Sequence, residues 1–283
     1  MTRMHMQEKV WDCHVHLFPD RLFQAIWGWF ARFGWDVPYA RLPLAYYLRY
    51  LQDLGVHKAF LLPYCHKPGM AMELNRWVCS VCREHSWLIP FAGIHPQDED
   101  AGHILGTCLD SWGFAGVKQQ LAVIKYTADH PDLYPIYEHV HKRGKILVIH
   151  AGTAPYEPGQ AEFAALGLRR LEPVLRDFPG LRVVIPHFGL DELELAQEIL
   201  VCYPQVYVDT SWALANPKLK VSEEELSRFM ASFPNQILFG TDFPILEHSP
   251  RDMLEAMQQL VPDPGARQRI LWENARELVA GTQ

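Results

Sequence analysis

Val10-Trp11-Asp12-Cys13-His14-Val15-His16-Leu17-Phe18 is the stretch on which the reading of this 283-residue chain turns. It alternates like a β-strand, in which residues two apart point the same way. His14 and His16 therefore share a face, close enough to hold one metal ion. Neutral imidazoles suit zinc first, then iron, nickel or manganese. The same pair also fits two ordinary surface or core histidines, because His-x-His occurs by chance. Its meaning depends on what the rest of the chain brings to the same place.

Composition narrows the field. Apolar residues make up 49% of the chain and the formal net charge is −7. A modest charge without a long basic run argues against nucleic acid or an anionic membrane as principal partner. No apolar run approaches the roughly 18 residues of a membrane span. Residues 1–9 lack the apolar segment of a signal peptide, so a cytoplasmic protein acting on a small molecule is expected. The six cysteines, at 13, 65, 79, 82, 108 and 202, read as free thiols in that setting. Cys79, Cys82 and His85 resemble half a zinc site. However, they lie in a segment of helical periodicity with no second cysteine pair, which makes them buried helix-face residues.

Beyond the first strand the chain keeps one rhythm. Residues 19–57 are rich in aromatics, with an amphipathic helix over Leu44–Leu54. This segment is longer than a connection requires, so part of it either covers a pocket or forms packing or a subunit interface. Apolar runs follow at Lys58–Tyr64, Trp87–His95, Gly113–Lys118, Lys145–His150, Leu181–His187, Val206–Ser211 and Gln236–Asp242. Between them lie helix candidates near 72–85, 98–110, 131–142, 161–177 and 190–202, and one that Ser222 caps ahead of Glu223. Near-continuous apolar strands alternating with helices imply a parallel sheet. Eight such units in one chain favour a closed (β/α)8 TIM barrel forming a single domain over residues 1–283. An open doubly wound sheet is the alternative, but no Gly-x-Gly-x-x-Gly turn follows the first strand.

The polar exceptions fall at the C-terminal ends of the apolar runs: His14, His16, His95, Lys118, His150, His187, Asp209 and Asp242. TIM-barrel active sites occupy that rim. A catalytic metal needs neutral nitrogen or anionic oxygen ligands and a position left open for water. A carboxylate alongside can take and return a proton, and Asp242 is suited to touch both metal and water.

In this company the chain resembles the amidohydrolase superfamily, specifically its amidohydrolase-related (amidohydrolase 2) family. The resemblance runs through Asp12–His16, Gly116–Lys118, Val148–Gly152, Val184–Gly189, Val206–Thr210, Ile237–Pro244 and the closing Arg269–Arg276. It implies a distorted TIM barrel with one or two divalent ions, usually zinc, with manganese or iron as alternatives. By position, His14, His16 and His150 become metal ligands and Asp242 both ligand and acid/base. His187 either ligates a second metal or orients the attacking water. Lys118 is a carboxylated bridging ligand, a point charge for a substrate carboxylate, or a structural ion-pair partner. His95 is expected to face the pocket as a substrate contact rather than to play a structural role, and Trp212, by its place after Asp209-Thr210-Ser211, either walls the pocket as a substrate contact or packs under a loop. Gln119-Gln120 departs from a histidine-proline pair common in the family, which weakens transfer of substrate contacts there. Relatives often form homodimers, and a dimer is expected here.

Two reactions then compete. Hydrolysis of an amide, ester or lactone uses metal-activated water with Asp242 moving the proton. Non-oxidative decarboxylation of an unsaturated or aromatic acid is the other activity the resemblance implies. It calls for an arginine against the carboxylate, but no arginine clearly sits at a strand end; Arg251, just after the last rim loop, is the nearest candidate and a poor one. Hydrolysis is therefore preferred, and a catalytically inactive metal-binding barrel is the third reading. Specificity is expected in the loops 19–43, 152–160 and 211–221.

Overall fold

The eight apolar runs form eight strands in the computed structural model, which describes residues 8–32, 34–35, 37–152 and 167–282. They are β1 (Val10–Val15), β2 (Val56–Leu61), β3 (Leu88–Gly93), β4 (Gly116–Gln120), β5 (Ile146–His150), β6 (Arg182–Ile185), β7 (Val206–Asp209) and β8 (Ile237–Leu238). All pair in parallel and in sequence order. The sheet curls until its last strand meets its first. Cys13 N–H donates to the Phe239 carbonyl, Asp242 N–H to that of His14, and His16 N–H to that of Phe243, each at 2.8 Å. The result is the expected barrel, with helices between its strands. Among the described residues no helix is long and apolar enough to cross a membrane.

Two apolar layers hold the barrel. Inside it, Trp11, Phe60, Phe91, Ile146, Val148, Val184 and Leu238 form one buried cluster, joined by Ala275 and Leu278 of the C-terminal helix Asn274–Ala280. Outside, the opposite strand faces pack on the helices through residues such as Leu61, Val117, Leu147 and Val183. Each strand is thus apolar on both sides, which is why the runs read as continuous rather than alternating. Apart from residues such as Asp12, His57, Lys58 and Arg182, the polar side chains of the strands lie towards their C-terminal ends.

The first strand departs from simple alternation. Asp12 pairs with Ala59 and Val15 with Leu61, so β1 takes three steps where β2 takes two. That extra residue is a β-bulge, which turns a strand and re-aims its side chains. Cys13 packs in the inner cluster, while His14 already belongs to the rim. The histidines still share a side, but the bulge sets which side.

Other boundaries shift as well. Strands β7 and β8 stop at Asp209 and Leu238, short of the residues 211 and 242 expected, because the chain beyond them turns to build the rim. The aromatic segment contains two helices, α1 (Asp20–Arg32) and α2 (Leu44–Asp53). The helix expected over 161–177 is seen as Glu172–Asp177; residues 153–166 lie outside the described part. The cysteine segment is a helix, Ala71–Glu84, with Cys79 buried and Cys82 half-buried, and Ser222 caps Glu223–Ser232 as expected.

Asp12 ties the seam together. Its Oδ1 accepts from the N–H of His14 (3.1 Å) and of Thr241 (2.9 Å), and its Oδ2 accepts from the Thr241 hydroxyl at 2.7 Å. Full burial pushes its pKa up to about 7 against the pull of those donors. Replacing Asp12 by Ala leaves these buried donors without an acceptor and is expected to cost about 2–4 kcal/mol. Asp12→Asn, which keeps an acceptor for both N–H groups, is expected to lose less. Urea unfolding measures this, and unchanged midpoints in both variants would remove Asp12 from the seam.

Candidate metal centre and cleft

Three residues meet where the seam closes: His14 and His16 from the first strand and Asp242 from the turn after the last. Their ligand-capable atoms all lie within 4.8 Å of one another, and all three residues are buried. His14 Nε2 and His16 Nε2 stand 3.2 Å apart. Asp242 Oδ1 is 3.1 Å from His16 Nε2 and 3.5 Å from His14 Nε2.

What fixes the rings is the bond at each other nitrogen. His14 Nδ1 lies 2.7 Å from Asp209 Oδ2, and His16 Nδ1 lies 2.6 Å from the carbonyl of Leu62. A carboxylate and a carbonyl only accept, so both Nδ1 atoms carry the proton and both Nε2 atoms present lone pairs. Burial lowers the His14 pKa well below the ordinary histidine value, which keeps that ring neutral. Two nitrogen lone pairs and a carboxylate oxygen facing one point repel unless a cation joins them. Tetrahedral zinc with bonds of about 2.0–2.1 Å needs donors roughly 3.3 Å apart, close to the separations seen here. The donor set fits a divalent ion.

A second histidine pair stands beside this trio. His187 Nδ1 is 2.8 Å from the Ser211 carbonyl, which directs its Nε2 inward to within 3.2 Å of His150 Nδ1. Gln120 Nε2 also approaches His150 Nδ1, at 3.3 Å. The rings of His14 and His187 are 5.3 Å apart. Burial and the neighbouring histidines hold the His187 pKa well below its usual range.

Asp209 links the two groups. Its Oδ2 holds His14, while its Oδ1 accepts from the backbone N–H of His187 (3.1 Å), from that of Ser211 (3.0 Å), and from the Ser211 hydroxyl in a short bond. Its strand-end position is visible in Val206–Asp209, but its role becomes clear only from these bonds. Gly240 works by absence: a Cβ there would come within 2.9 Å of His14 Cβ, so the last strand approaches the first only as glycine.

The backbone at this rim is strained. His187, Trp212 and Asp242 all have positive φ, at 59°, 54° and 75°. Each such residue costs on the order of 1–3 kcal/mol and persists where its surroundings over-determine it. Here they do: Asp242 N–H is bound to His14, His187 N–H to Asp209, and Trp212 N–H to the Thr241 carbonyl at 3.2 Å.

The cleft above the trio has a polar floor of His16, Gln120, His150, His187 and Asp242. Its walls are Phe30, Trp35, Tyr64, Leu190, Trp212 and Ile245. Part of the aromatic N-terminal segment therefore covers a pocket, as one of its two readings held, and Trp212 faces the cleft. His95 does not line it; that ring packs edge-on to Tyr126, and its Nδ1 receives the N–H of Gln97. Lys118 is 1% exposed and also outside the lining. Its Nζ has no hydrogen-bond partner among the described residues, and burial pushes its pKa down to about 8. Of the wall residues, sequence reasoning singled out Trp212; Trp35, Phe30 and Tyr64 carry no signal that separates them from other aromatics.

A parallel barrel with a group of histidine and carboxylate side chains at its C-terminal rim is a TIM barrel with a candidate metal site where the active sites of that fold lie. The amidohydrolase family model matches residues 11–280, and the chain belongs to that family. No curated protein matches the sequence. Among solved structures, an uncharacterised TIM-barrel protein from Bordetella bronchiseptica superposes with a TM-score of 0.74 at 19% identity, over 97% of this chain and 99% of that one. A dihydroxybenzoic acid decarboxylase from a Polaromonas species, with bound manganese and an inhibitor, gives 0.71 at 15% identity over 98% of each chain. A protein described as a 2-pyrone-4,6-dicarboxylic acid hydrolase from Pseudomonas putida gives 0.63 at 22% identity, over 98% and 99%. At these identities the likeness concerns the fold.

Because Asp209 fixes the proton of His14, Asp209→Asn is expected to weaken zinc binding by about 10–100-fold while the barrel stays folded. Chelator competition measures the affinity and circular dichroism the fold. Unchanged affinity would show that Asp209 does not position His14.

Proposed function

We propose that the protein is a metal-dependent hydrolase in which Asp242 moves the proton while an amide, ester or lactone carbonyl is attacked by water. The observation that carries this is the position of Asp242. Its Oδ1 lies 3.1 Å from His16 Nε2 at the floor of the cleft, beside the ligand atoms and open to whatever the cleft admits. His14, His16 and Asp242 would hold the ion, zinc by donor chemistry, with His150, His187 and Lys118 as the further groups beside it. A divalent ion there supplies Lewis acidity, which acidifies water and polarises a carbonyl.

The chain's own residues supply the rest. Burial raises the Asp242 pKa above its ordinary value, which suits a carboxylate that takes a proton from water and delivers it to the leaving group. His187 keeps its Nε2 as an acceptor, because its Nδ1 is committed to Ser211, and so can orient the water. Lys118 has neither an ion-pair partner among the described residues nor a place in the cleft lining. Those surroundings favour its role on the metal side over a contact with substrate.

Decarboxylation is the second reading, supported by the likeness to the Polaromonas decarboxylase. Against it, no arginine or lysine lines the cleft among the described residues. Arg251 is exposed on the helix Pro250–Leu260. Assaying amide, ester and lactone cleavage beside carbon dioxide release separates the two, and carbon dioxide without hydrolysis would overturn the proposal.

Two substitutions test the roles directly. Asp242→Asn is expected to lower turnover by at least about 10²-fold with the fold intact; retained turnover would remove it as the proton carrier. His14→Ala combined with His16→Ala is expected to abolish bound metal by elemental analysis, and unchanged stoichiometry would refute the ligand assignment.

A further inference from the structure

We propose that the cleft selects an uncharged planar ring, and that it discriminates against substrates whose ring carries a free carboxylate remote from the reacting carbonyl. This deepens the hydrolase reading, on which it rests for the identity of the bond broken. Recognition of the ring stands on the walls alone.

The walls are flat and aromatic. Trp35 and Trp212 lie against one another in a tilted contact, ring centroids 6.5 Å apart and planes at 42°, and Trp212 meets the ring of His187 at 6.4 Å. Trp212 therefore joins the polar floor to the covering segment. Ile245 completes an apolar side. A planar ring entering such a space gains stacking and edge contacts that an extended aliphatic chain does not.

Apart from the histidines and Asp242, the polar groups of the lining residues are neutral: the indoles of Trp35 and Trp212, the Tyr64 hydroxyl and the Gln120 amide.

Positive charge is missing from the walls. No lysine or arginine lines the cleft among the described residues, and residues 153–166 contain none in sequence. Lys218, whose Nζ lies 5.4 Å from the centroid of the Trp35 ring, is already paired with Glu247 at 2.6 Å. A carboxylate on the far side of the ring would lose its hydration with no counter-charge in return. A second anionic group is thus selected against.

Calorimetric titration with two probes tests this: dihydrocoumarin, a neutral bicyclic lactone, and its analogue carrying a carboxylate on the benzene ring. Both are titrated into the purified protein as isolated and after zinc loading. The neutral probe is expected to bind, with the carboxylate at least about 30-fold weaker in both states. Trp212→Ala, which removes the ring from the wall, is expected to weaken the neutral probe by about 10-fold. Ile245→Lys, which adds a cation to the wall, is expected to narrow or reverse the preference. Equal or tighter binding of the carboxylate by the unmodified protein overturns the proposal, as does failure of the neutral probe to bind. Tight, selective binding of the neutral probe with no ester, amide or lactone cleaved would refute the hydrolase reading and leave this one standing.

Discussion

The bond from Asp242 N–H to the His14 carbonyl is the constraint on which the site depends. It closes the barrel, and it joins the two segments that carry the trio. An open sheet would leave the first strand's histidines and the last strand's aspartate on opposite edges, with the other strands between them. Closure makes residues 228 positions apart into neighbours. Asp12, Thr241 and Gly240 serve the same contact: two as a hydrogen-bonded clasp, one by making room for His14. The positive φ of Asp242 is the local cost of that geometry.

From this seam the remaining order propagates by one device used repeatedly. Each inward imidazole of the trio, and His187 next to it, is held at Nδ1 by a group that accepts hydrogen bonds. Ring orientation and tautomer are thereby settled together, before anything binds. Asp209 holds one ring directly and fixes the backbone of another, so two halves of the floor share a support. Such preorganisation lets a site present lone pairs to a cation without rearranging.

Much of this was legible in the sequence, for identifiable reasons. The barrel follows from eight apolar runs whose polar residues cluster at one end, a pattern that burial on both faces imposes. His14, His16 and Asp242 stand out because they interrupt apolar runs at the same, C-terminal end. The bulge after Asp12 was not legible, since an inserted residue leaves the composition of a strand unchanged. Nor was the load carried by Asp209, which the sequence places at the rim without showing what it touches. His95 shares the strand-end signal but points elsewhere. That difference lies in a turn around Asp98, whose carboxylate takes the His95 N–H. The wall aromatics are the least readable: Phe30 and Trp35 sit in a segment with many rings, and only the path of the chain selects two of them.

The separation between floor and wall carries a consequence for how such a protein can change. The floor is built from strand ends locked by the seam, where almost any substitution disturbs several hydrogen bonds at once. The walls come from α1, the chain just after it, and the turns beyond β2, β6, β7 and β8, held mainly by ring and aliphatic packing. Variation there alters which molecules fit the cleft while leaving the hydrogen bonds of the floor untouched. A lineage carrying this barrel could thus reshape its cleft through a few wall residues, keeping the floor as inheritance.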